Sequence, residues 1–232
     1  EHVQWLQAVK PLVVAAAVLV GDFMMARAFS LVVGHGDLEL IRALSRVVSA
    51  MAEGEMLQLV RSGRLTLSMP NYEEIIAGKT AGLFSWACEA GASLAQGAAG
   101  RTEEASEFGR LFGMAFQVAD DVLDYTSSPE QSGKDLANDL QQGKMTLPLL
   151  LACEEDPELF GVVEEVTARG PTEQECMSIV RRVIETRAVR RALDRAWDYV
   201  RASHARLDGF EGGPATTSLA ELATHVVERV DA

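Results

Sequence analysis

The sequence predicts an all-α protein, and both its composition and its hydrophobic periodicity support that prediction. Hydrophobic residues make up 48% of the 232 residues and aromatic residues only 6%, so Ala, Leu, Val and Met must build most of the core. Such side chains pack well between closely spaced helices. Apolar residues recur at helical spacing along most of the chain, and strand-type alternation persists nowhere. We expect a single domain over residues 1–232, because a chain of this length can bury its own core.

Two helices are predicted near the start of the chain. Apolar residues at helical spacing place the first from Val14 to about Val33 and the second from Asp37 to about Val60. The turn Gly34-His35-Gly36 separates them. The apolar run Pro11–Val20 is too short to span a bilayer, so we expect a buried helix there, with no transmembrane segment and no signal peptide.

Helices are also predicted through the rest of the chain. Pro70 suits the first turn of a helix that continues from Asn71 to about Ala98, and the next helix runs from about Thr102 to Tyr125. The turn-rich segment Ser127–Gly133 indicates a mobile loop. Shorter helices are predicted at Asp135–Leu140, Thr146–Glu154, Pro157–Ala168, Thr172–Thr186, Ala188–Leu207 and Ser218–Val230.

The charge balance limits the ligands that the chain can bind. Lys and Arg number 21 against 34 Asp and Glu, which gives a net charge of −13. This field repels nucleic acid and anionic membrane surfaces, so neither is an expected partner. A phosphate ligand would need local cations or bridging metal ions, because carboxylates do not bind phosphate oxygens directly.

The cysteines indicate a reducing compartment. Cys88, Cys153 and Cys176 are far apart in sequence, and they form no Cys-x-x-Cys pair and no zinc-ligand spacing. We therefore expect three reduced cysteines and a cytoplasmic protein.

Three aspartates and a glutamine form a stripe on the predicted helix that ends near Tyr125. At about 100° per residue, Gln117, Asp120, Asp121 and Asp124 fall within roughly 100° of arc. Their carboxylates repel one another and have no lysine or arginine one turn away, so a divalent cation is expected to neutralise them. Hard oxygen ligands suit Mg²⁺.

Two observations bear on that interpretation of the stripe. A solvated acidic edge is the alternative, but Val118 and Val122 make the flanking faces apolar. Gly109 and Gly113 lie on the same face as the aspartates, where they leave room for a ligand or a neighbouring helix.

Two lysines follow the aspartates in Gly-Lys contexts, at Gly133-Lys134 and Gly143-Lys144. Lysine is a compact charge that suits phosphate oxygens. Each pair alone is weak evidence, because a solvated surface lysine would look the same. Together with the aspartates they predict a site for a metal-bound phosphate.

These motifs resemble a known family. Phe-Gln-x-x-Asp-Asp-x-x-Asp at 116–124, Gly-Lys-Asp-Leu at 133–136 and Gly-Lys-x-Thr-Leu-Pro at 143–148 are similar to the second aspartate-rich region of the trans-isoprenyl diphosphate synthases, or polyprenyl synthetases. Gly21-Asp22, Gly54-Glu55, Tyr72 and Lys79-Thr80 also follow the family's order. The resemblance implies an isoprenoid synthase-type helical bundle around a central cavity, and it implies a homodimer.

The resemblance further implies a function. It implies a chain-elongating prenyltransferase that condenses isopentenyl diphosphate with an allylic diphosphate to give a medium- or long-chain all-trans polyprenyl diphosphate. Gly-Lys-x-Thr-Leu-Pro belongs to the chain-elongating branch, so a terpene cyclase of the same fold fits poorly.

It assigns roles to eight residues of this sequence. Asp120, Asp121 and Asp124 would hold Mg²⁺, while Lys79 and Lys134 would contact the allylic diphosphate and Lys144 would support the same pocket. Thr80 and Gln117 would turn their oxygen dipoles towards the carbocation. From its spacing alone, Lys79-Thr80 would be an ordinary lysine and threonine of a long helix.

The chain departs from the family in one respect. The family carries an earlier aspartate-rich motif, and no such motif occurs here. Lys10–Val13 resembles one family segment and Ala15–Asp22 a distant later one, which predicts a segment missing near residues 11–17. A true variant would instead be a non-catalytic or regulatory subunit, or a prenyl-diphosphate-binding homologue. We favour the missing segment, because the loss of an inner helix would leave apolar faces of its neighbours uncovered.

Overall fold

The computed structural model describes residues 2–61, 68–95, 100–126 and 138–231. Within these ranges the regular secondary structure is entirely helical, which confirms the all-α prediction. The chain divides into two compact units, Glu1–Arg46 and Val47–Ala232. The single-domain prediction over residues 1–232 stays a prediction.

The first unit contains helix α1, His2–His35, and the start of α2, Leu38–Arg61. The two helices separate at Gly36, whose φ of 84° falls in the left-handed region that glycine adopts without strain. Asp37 then caps α2, because its side chain accepts hydrogen bonds from the backbone N–H groups of Glu39 and Leu40 at 2.9 and 3.2 Å. The predicted turn is therefore confirmed at Gly36, whereas Gly34 and His35 belong to the last turn of α1.

Helix α1 is exposed where the sequence predicts burial. Leu19 and Phe23 are 67% and 68% exposed, and from Leu12 onward the other large apolar residues of α1 are also exposed, except Phe29 and Val32, which are partly buried. The prediction of a buried helix at Pro11–Val20 is wrong for the side chains described, because apolar residues lie on all sides of α1 and nothing in its own unit covers them. Uncovered apolar faces agree with a missing segment near residues 11–17, which stays a prediction.

The exposure of α1 also bears on membranes. Leu12–His35 is long enough to cross a bilayer and has a mean hydropathy of 1.9, so the length argument made from Pro11–Val20 alone is wrong. Core helices of soluble proteins and signal sequences pass the same test of length and composition. The absence of a transmembrane segment therefore stays a prediction.

The second unit begins with the rest of α2 and three further helices. Helix α3, Met69–Ile76, carries Pro70 in its first turn as predicted, and a π-helical turn, Ala77–Ala81, joins it to α4, Gly82–Leu94. The sequence predicts one uninterrupted helix over Asn71–Ala98, so the π-helical turn is a correction. Helix α5, Thr102–Thr126, matches its prediction closely.

Six shorter helices follow in the part of this unit that the structure describes. They are α6 (Asn138–Gln141), α7 (Leu147–Glu155), α8 (Pro157–Arg169), α9 (Glu173–Glu185), α10 (Ala188–Leu207) and α11 (Pro214–Asp231). Helix α11 begins before the predicted Ser218, because Pro214 fits the first helical position and the Thr217 N–H bonds to the Gly213 carbonyl at 3.0 Å. The predicted loop Ser127–Gly133 and the start of the predicted helix Asp135–Leu140 lie outside the described residues.

Helix α5 is the centre of the second unit. It packs against α4, α10 and α11, and an edge-to-face contact between Phe84 and Phe112 joins it to α4. Helix α7 is buried on all sides from Leu147 to Cys153, so it supplies a rigid wall beside α5. Helix α5 carries four of the eight predicted site residues, Gln117, Asp120, Asp121 and Asp124, and α7 lies beside it.

Candidate active site

The π-helical turn carries Lys79 and Thr80. Such turns insert one residue into a helix and recur at functional sites. The backbone of this turn lies against α2, because a Cβ atom at Gly54 would be 3.0 Å from the Lys79 nitrogen and one at Gly78 would be 3.3 Å from the Ala50 carbonyl oxygen. Both glycines therefore permit the approach that brings Lys79 to α2.

Lys79 is held by two side chains of α2. Its ammonium group lies 2.7 Å from a carboxylate oxygen of Glu55 and donates a hydrogen bond to the Gln58 amide oxygen at 2.8 Å. Gln58 also lines the cavity described below, whereas the Glu55 side chain is 45% exposed. Lys79 does not snorkel to the surface, since its side chain is 29% exposed and lines the cavity described below.

The aspartate stripe of α5 is divided between three environments. Asp120 is half-buried and lines the cavity, whereas Asp121 is only 4% exposed. Asp124 accepts a hydrogen bond from the backbone N–H of Asp139 at 3.3 Å. The stripe is confirmed as one face of the helix, but its three carboxylates do not share one set of partners.

Asp121 accepts hydrogen bonds from three protein donors. The Tyr72 hydroxyl and the Leu147 backbone N–H donate to Oδ2 at 2.7 and 3.1 Å, and the Gln117 amide nitrogen donates to Oδ1 at 3.0 Å. Burial raises the pKa of the Asp121 carboxyl to about 6, although these hydrogen bonds favour its charged form. Burial and the charge of Asp121 also raise the pKa of Tyr72 well above its usual value, so the hydroxyl remains a donor.

Lys144 reaches the site through a tight turn. Gly143 adopts a φ of 70°, which only glycine tolerates readily, and the Lys144 N–H bonds to the Asp139 carbonyl at 2.9 Å. The Lys144 ammonium then lies 2.9 Å from the Asp139 carboxylate, with both side chains 22% exposed. The backbone conformation therefore explains why a glycine precedes Lys144, since a residue with a Cβ would strain the turn.

These residues surround one cavity of about 140 Å³. Its walls include the predicted residues Lys79, Gln117, Asp120, Asp121 and Lys144. Thr80 joins them through the hydrogen bond that its hydroxyl donates to the Gln117 amide oxygen at 2.7 Å. A cavity of this volume suits a head group rather than a whole polyprenyl chain, because sites for larger ligands span roughly 300–1,000 Å³.

Two predictions are left without a test at the site. Lys134 lies outside the described residues. Within the described parts of the chain, no group of three or more His, Cys, Asp or Glu side chains is arranged to hold a metal ion. The assignment of Asp120, Asp121 and Asp124 to Mg²⁺ therefore stays a prediction.

Sequence reasoning gave no role to two residues of this site. Tyr72 enters the sequence predictions only through the family resemblance, although it bonds Asp121 from 49 positions away. Asp139 lines the cavity and contacts both Asp124 and Lys144. Asp139 could have been identified from the sequence, because it lies five positions before the lysine of Gly143-Lys144. No local pattern identifies Tyr72.

The family model for polyprenyl synthetases matches residues 7–185. The chain belongs to the polyprenyl synthetase family. This match includes all the predicted site residues, from Lys79 to Lys144. The recognition made from the motifs of residues 116–148 is therefore confirmed.

Curated relatives in this family match only part of their own length. The chain is 42% identical to octaprenyl diphosphate synthase of Escherichia coli over 138 residues, which cover 60% of this chain and 43% of that protein. It is 41% identical over 159 residues to the all-trans-nonaprenyl-diphosphate synthase (geranyl-diphosphate specific) of Rhodobacter capsulatus, covering 68% of this chain and 49% of that protein. The chain thus spans less than half the length of these two relatives.

A solved member of the family has the same fold. The structure of polyprenyl synthase from Caulobacter crescentus matches with a TM-score of 0.84 and 40% identity, over 93% of this chain and 66% of that one. That protein was crystallised in complex with calcium and isoprenyl diphosphate. The predicted isoprenoid synthase-type fold is therefore confirmed for the polyprenyl synthetase family member described here.

Proposed function

We propose that the protein is a prenyltransferase that condenses isopentenyl diphosphate with an allylic diphosphate to give a medium- or long-chain all-trans polyprenyl diphosphate. The observation that carries this proposal is the cavity in which Lys79 and Lys144 lie with Asp120 and Gln117. Cations beside carboxylates suit a diphosphate that is bound together with a divalent metal. The names of the octaprenyl and nonaprenyl diphosphate synthases support a medium- or long-chain product.

The two lysines would bind and stabilise the departing diphosphate. Each ammonium is already held by a carboxylate, Lys79 by Glu55 and Lys144 by Asp139, so its position is fixed before substrate arrives. Fixed cations in a partly dehydrated cavity stabilise developing negative charge strongly. Lys134 is proposed to contact the same diphosphate.

Mg²⁺ is the proposed metal. Asp120 is the best-placed ligand, since it lines the cavity, and Asp124 lies one helical turn away on the same face. Carboxylate oxygens are the ligands that Mg²⁺ prefers, and substrate phosphates usually complete its coordination. When bound, the metal would neutralise charge on the diphosphate leaving group.

Thr80 and Gln117 would lie beside the allylic carbon. The Thr80 hydroxyl donates to the amide oxygen of Gln117, which lines the cavity, so two oxygen dipoles lie next to each other. As the carbon–oxygen bond of the allylic diphosphate breaks, these dipoles would stabilise the carbocation. The double bond of isopentenyl diphosphate then attacks this carbon, and loss of a proton completes the elongation.

We propose a cytoplasmic homodimer. All three cysteines, Cys88, Cys153 and Cys176, are free, which agrees with a reducing compartment. The homodimer follows only from the family resemblance.

Incubation of the full-length protein with isopentenyl diphosphate, farnesyl diphosphate and Mg²⁺, followed by sizing of the products, tests the activity. We expect elongated all-trans products and their loss when a chelator removes the metal. Arg201→Ala is a suitable control variant, because Arg201 forms an exposed ion pair with Asp198 on the surface of α10. Intact protein that makes no elongated product overturns the proposal.

A second outcome would identify the alternative function. The sequence has one Asp-Asp pair, at Asp120-Asp121, and the described carboxylates form no three-ligand cluster. Calorimetric binding of farnesyl diphosphate without any turnover would therefore assign the protein as a prenyl-diphosphate-binding or regulatory subunit.

A further inference from the structure

A chain of hydrogen bonds runs through the site from the π-helical turn to helix α7. The Thr80 hydroxyl donates to the Gln117 amide oxygen at 2.7 Å, and the Gln117 amide nitrogen donates to Asp121 at 3.0 Å. Asp121 in turn accepts from the Tyr72 hydroxyl and from the backbone N–H of Leu147. This series of hydrogen bonds connects four elements of the second unit: α3, the π-helical turn, α5 and α7.

In this series of hydrogen bonds, chemistry decides which group donates and which group accepts. A carboxylate only accepts and a backbone N–H only donates, so Leu147 must donate to Asp121. The Gln117 side chain must likewise present its NH₂ group to Asp121 and its oxygen to Thr80. The charge of Asp121 therefore selects one of the two orientations that the Gln117 amide could adopt.

Asp121 is held differently from its neighbour in the stripe. Its side chain is 4% exposed, and three of the roughly four acceptor sites of its carboxylate are occupied by protein donors. Leu147 is the first residue of α7, and a helix N-terminus stabilises a carboxylate. Asp120, by contrast, is half-buried and faces the cavity.

We infer that Asp121 is a positioning residue, which Tyr72 and Leu147 hold in place and which turns the Gln117 amide oxygen, rather than its NH₂ group, towards Thr80 and the cavity. This inference rests on the proposed prenyl transfer, in which an oxygen dipole stabilises a carbocation. It replaces the metal-ligand role that the sequence predicts for Asp121. The reversed amide would place a partial positive charge beside the same carbon and would raise the barrier to its ionisation.

Asp121→Asn is the first test, since it keeps the size and shape of the side chain. Its oxygen must accept from Tyr72 and Leu147, so its new NH₂ group faces Gln117 and forces the Gln117 amide to reverse. We expect kcat to fall by about 10- to 100-fold with little change in KM, because the lost stabilisation acts on the transition state. The Mg²⁺ concentration that gives half-maximal activity should stay unchanged.

Exchanging the acid and the amide provides a rescue. In a Gln117→Glu, Asp121→Asn double variant, the introduced asparagine donates to the introduced glutamate, and that glutamate accepts from Thr80. All the hydrogen bonds are then satisfied, and an oxygen again faces Thr80. We expect kcat to recover at least about tenfold over Asp121→Asn. A raised Mg²⁺ requirement in Asp121→Asn, with no recovery in the double variant, would show that Asp121 is a metal ligand and would overturn the inference.

If Asp121→Asn fails to fold, Tyr72→Phe tests the same inference by removing the hydrogen bond that Tyr72 donates to Asp121. It leaves the charge of Asp121 in place but removes one donor, so we expect kcat to fall by about three- to tenfold. Tyr125→Phe is the matched control, because it also removes one buried tyrosine hydroxyl that contacts a neighbouring element, but that hydroxyl bonds Thr146 and not Asp121. Equal losses of kcat in the two variants would contradict the inference.

The side-chain amide signals of Gln117 in NMR spectra separate this inference from the proposed function. We expect them to shift in Asp121→Asn, where the NH₂ group moves from a carboxylate to a hydroxyl, and to stay in place in Tyr125→Phe. Wild-type protein that makes no product overturns the proposed function, whatever the spectra show. Signals that are unchanged in Asp121→Asn overturn the inference, whatever the activity.

Discussion

Gly109 of α5 packs so closely on Phe84 of α4 that a Cβ atom at position 109 would lie 2.3 Å from the Phe84 carbonyl oxygen. The same Cβ would lie 2.9 Å from the Cα of Ser85, and real Cβ atoms essentially never approach within 3.0 Å. Because these contacts are with backbone, α4 would have to move to admit a methyl group. Gly109→Ala should therefore lower the free energy of unfolding by about 1–3 kcal/mol, measured by urea denaturation.

Gly161 of α8 is the control for that substitution. It is also a helical glycine, but apart from the adjacent backbone of its own helix no atom lies within 4 Å of the position that its Cβ would occupy. Gly161→Ala should stabilise the protein by roughly 0.5–1 kcal/mol, since alanine is the better helix former. If both variants had the same stability, close packing at Gly109 would not be the cause.

The central helix was predictable because its evidence is local. The hydrophobic periodicity of Thr102–Tyr125 predicts the length and the apolar faces of the helix. Gly109 and Gly113, on one of its faces, indicate where a neighbour can approach closely. The π-helical turn at Ala77–Ala81 was not predictable in this way. One inserted residue changes the backbone hydrogen bonds without changing the composition, and periodicity over a short window does not resolve that change.

The site was predictable in its residues but less so in their partners. The stripe of Asp120, Asp121 and Asp124 follows from helical winding alone. Nothing in that pattern shows that Asp121 turns inward, because Tyr72 and Leu147 lie 49 and 26 positions away. Tertiary contacts of this kind decide which carboxylate faces a ligand.

Tyr125 and Thr146 form a buried hydroxyl pair whose contribution to stability can be isolated. Their oxygens lie 2.7 Å apart, and both side chains are buried, at 6% and 4% exposure. Tyr125→Phe and Thr146→Val should each lower the free energy of unfolding by about 1–3 kcal/mol, because each variant leaves the other, buried hydroxyl without its hydrogen-bond partner. The double variant should cost clearly less than the sum of the two, as a double-mutant cycle would show. Strict additivity would mean that the two hydroxyls are not coupled.

Glu175 should give the protein a pH-dependent stability at low pH. The hydrogen bonds from Arg169 and from Thr172 lower the pKa of Glu175 from 4.5 to about 2. As the pH falls below about 4.5, the unfolded chain takes up this proton before the folded chain does. The stabilisation is therefore complete above pH 4.5 and is lost as the pH falls towards 2.

Glu175→Gln is the variant that tests this pH dependence. Glutamine also completes the capping box with Thr172, so the change removes the charge and keeps the cap. The wild type should be more stable than the variant at pH 6, and the difference should shrink steadily by pH 3 in urea denaturation. A difference that stays constant over this range would contradict the assignment.

Lys79→Ala should separate activity from stability. The ion pair with Glu55 contributes less than about 1 kcal/mol, because the Glu55 side chain is 45% exposed and solvent screens the attraction. The unfolding free energy should therefore change little. If Lys79 binds the diphosphate through a charge-assisted hydrogen bond, its loss should lower kcat/KM by about 10- to 100-fold.

Lys79→Arg keeps the positive charge but replaces a compact ammonium with a planar guanidinium. It should therefore recover only part of the lost kcat/KM. An Ala variant with full kcat/KM would remove Lys79 from the site, whereas one that unfolds would show that its contacts with Glu55 and Gln58 are structural.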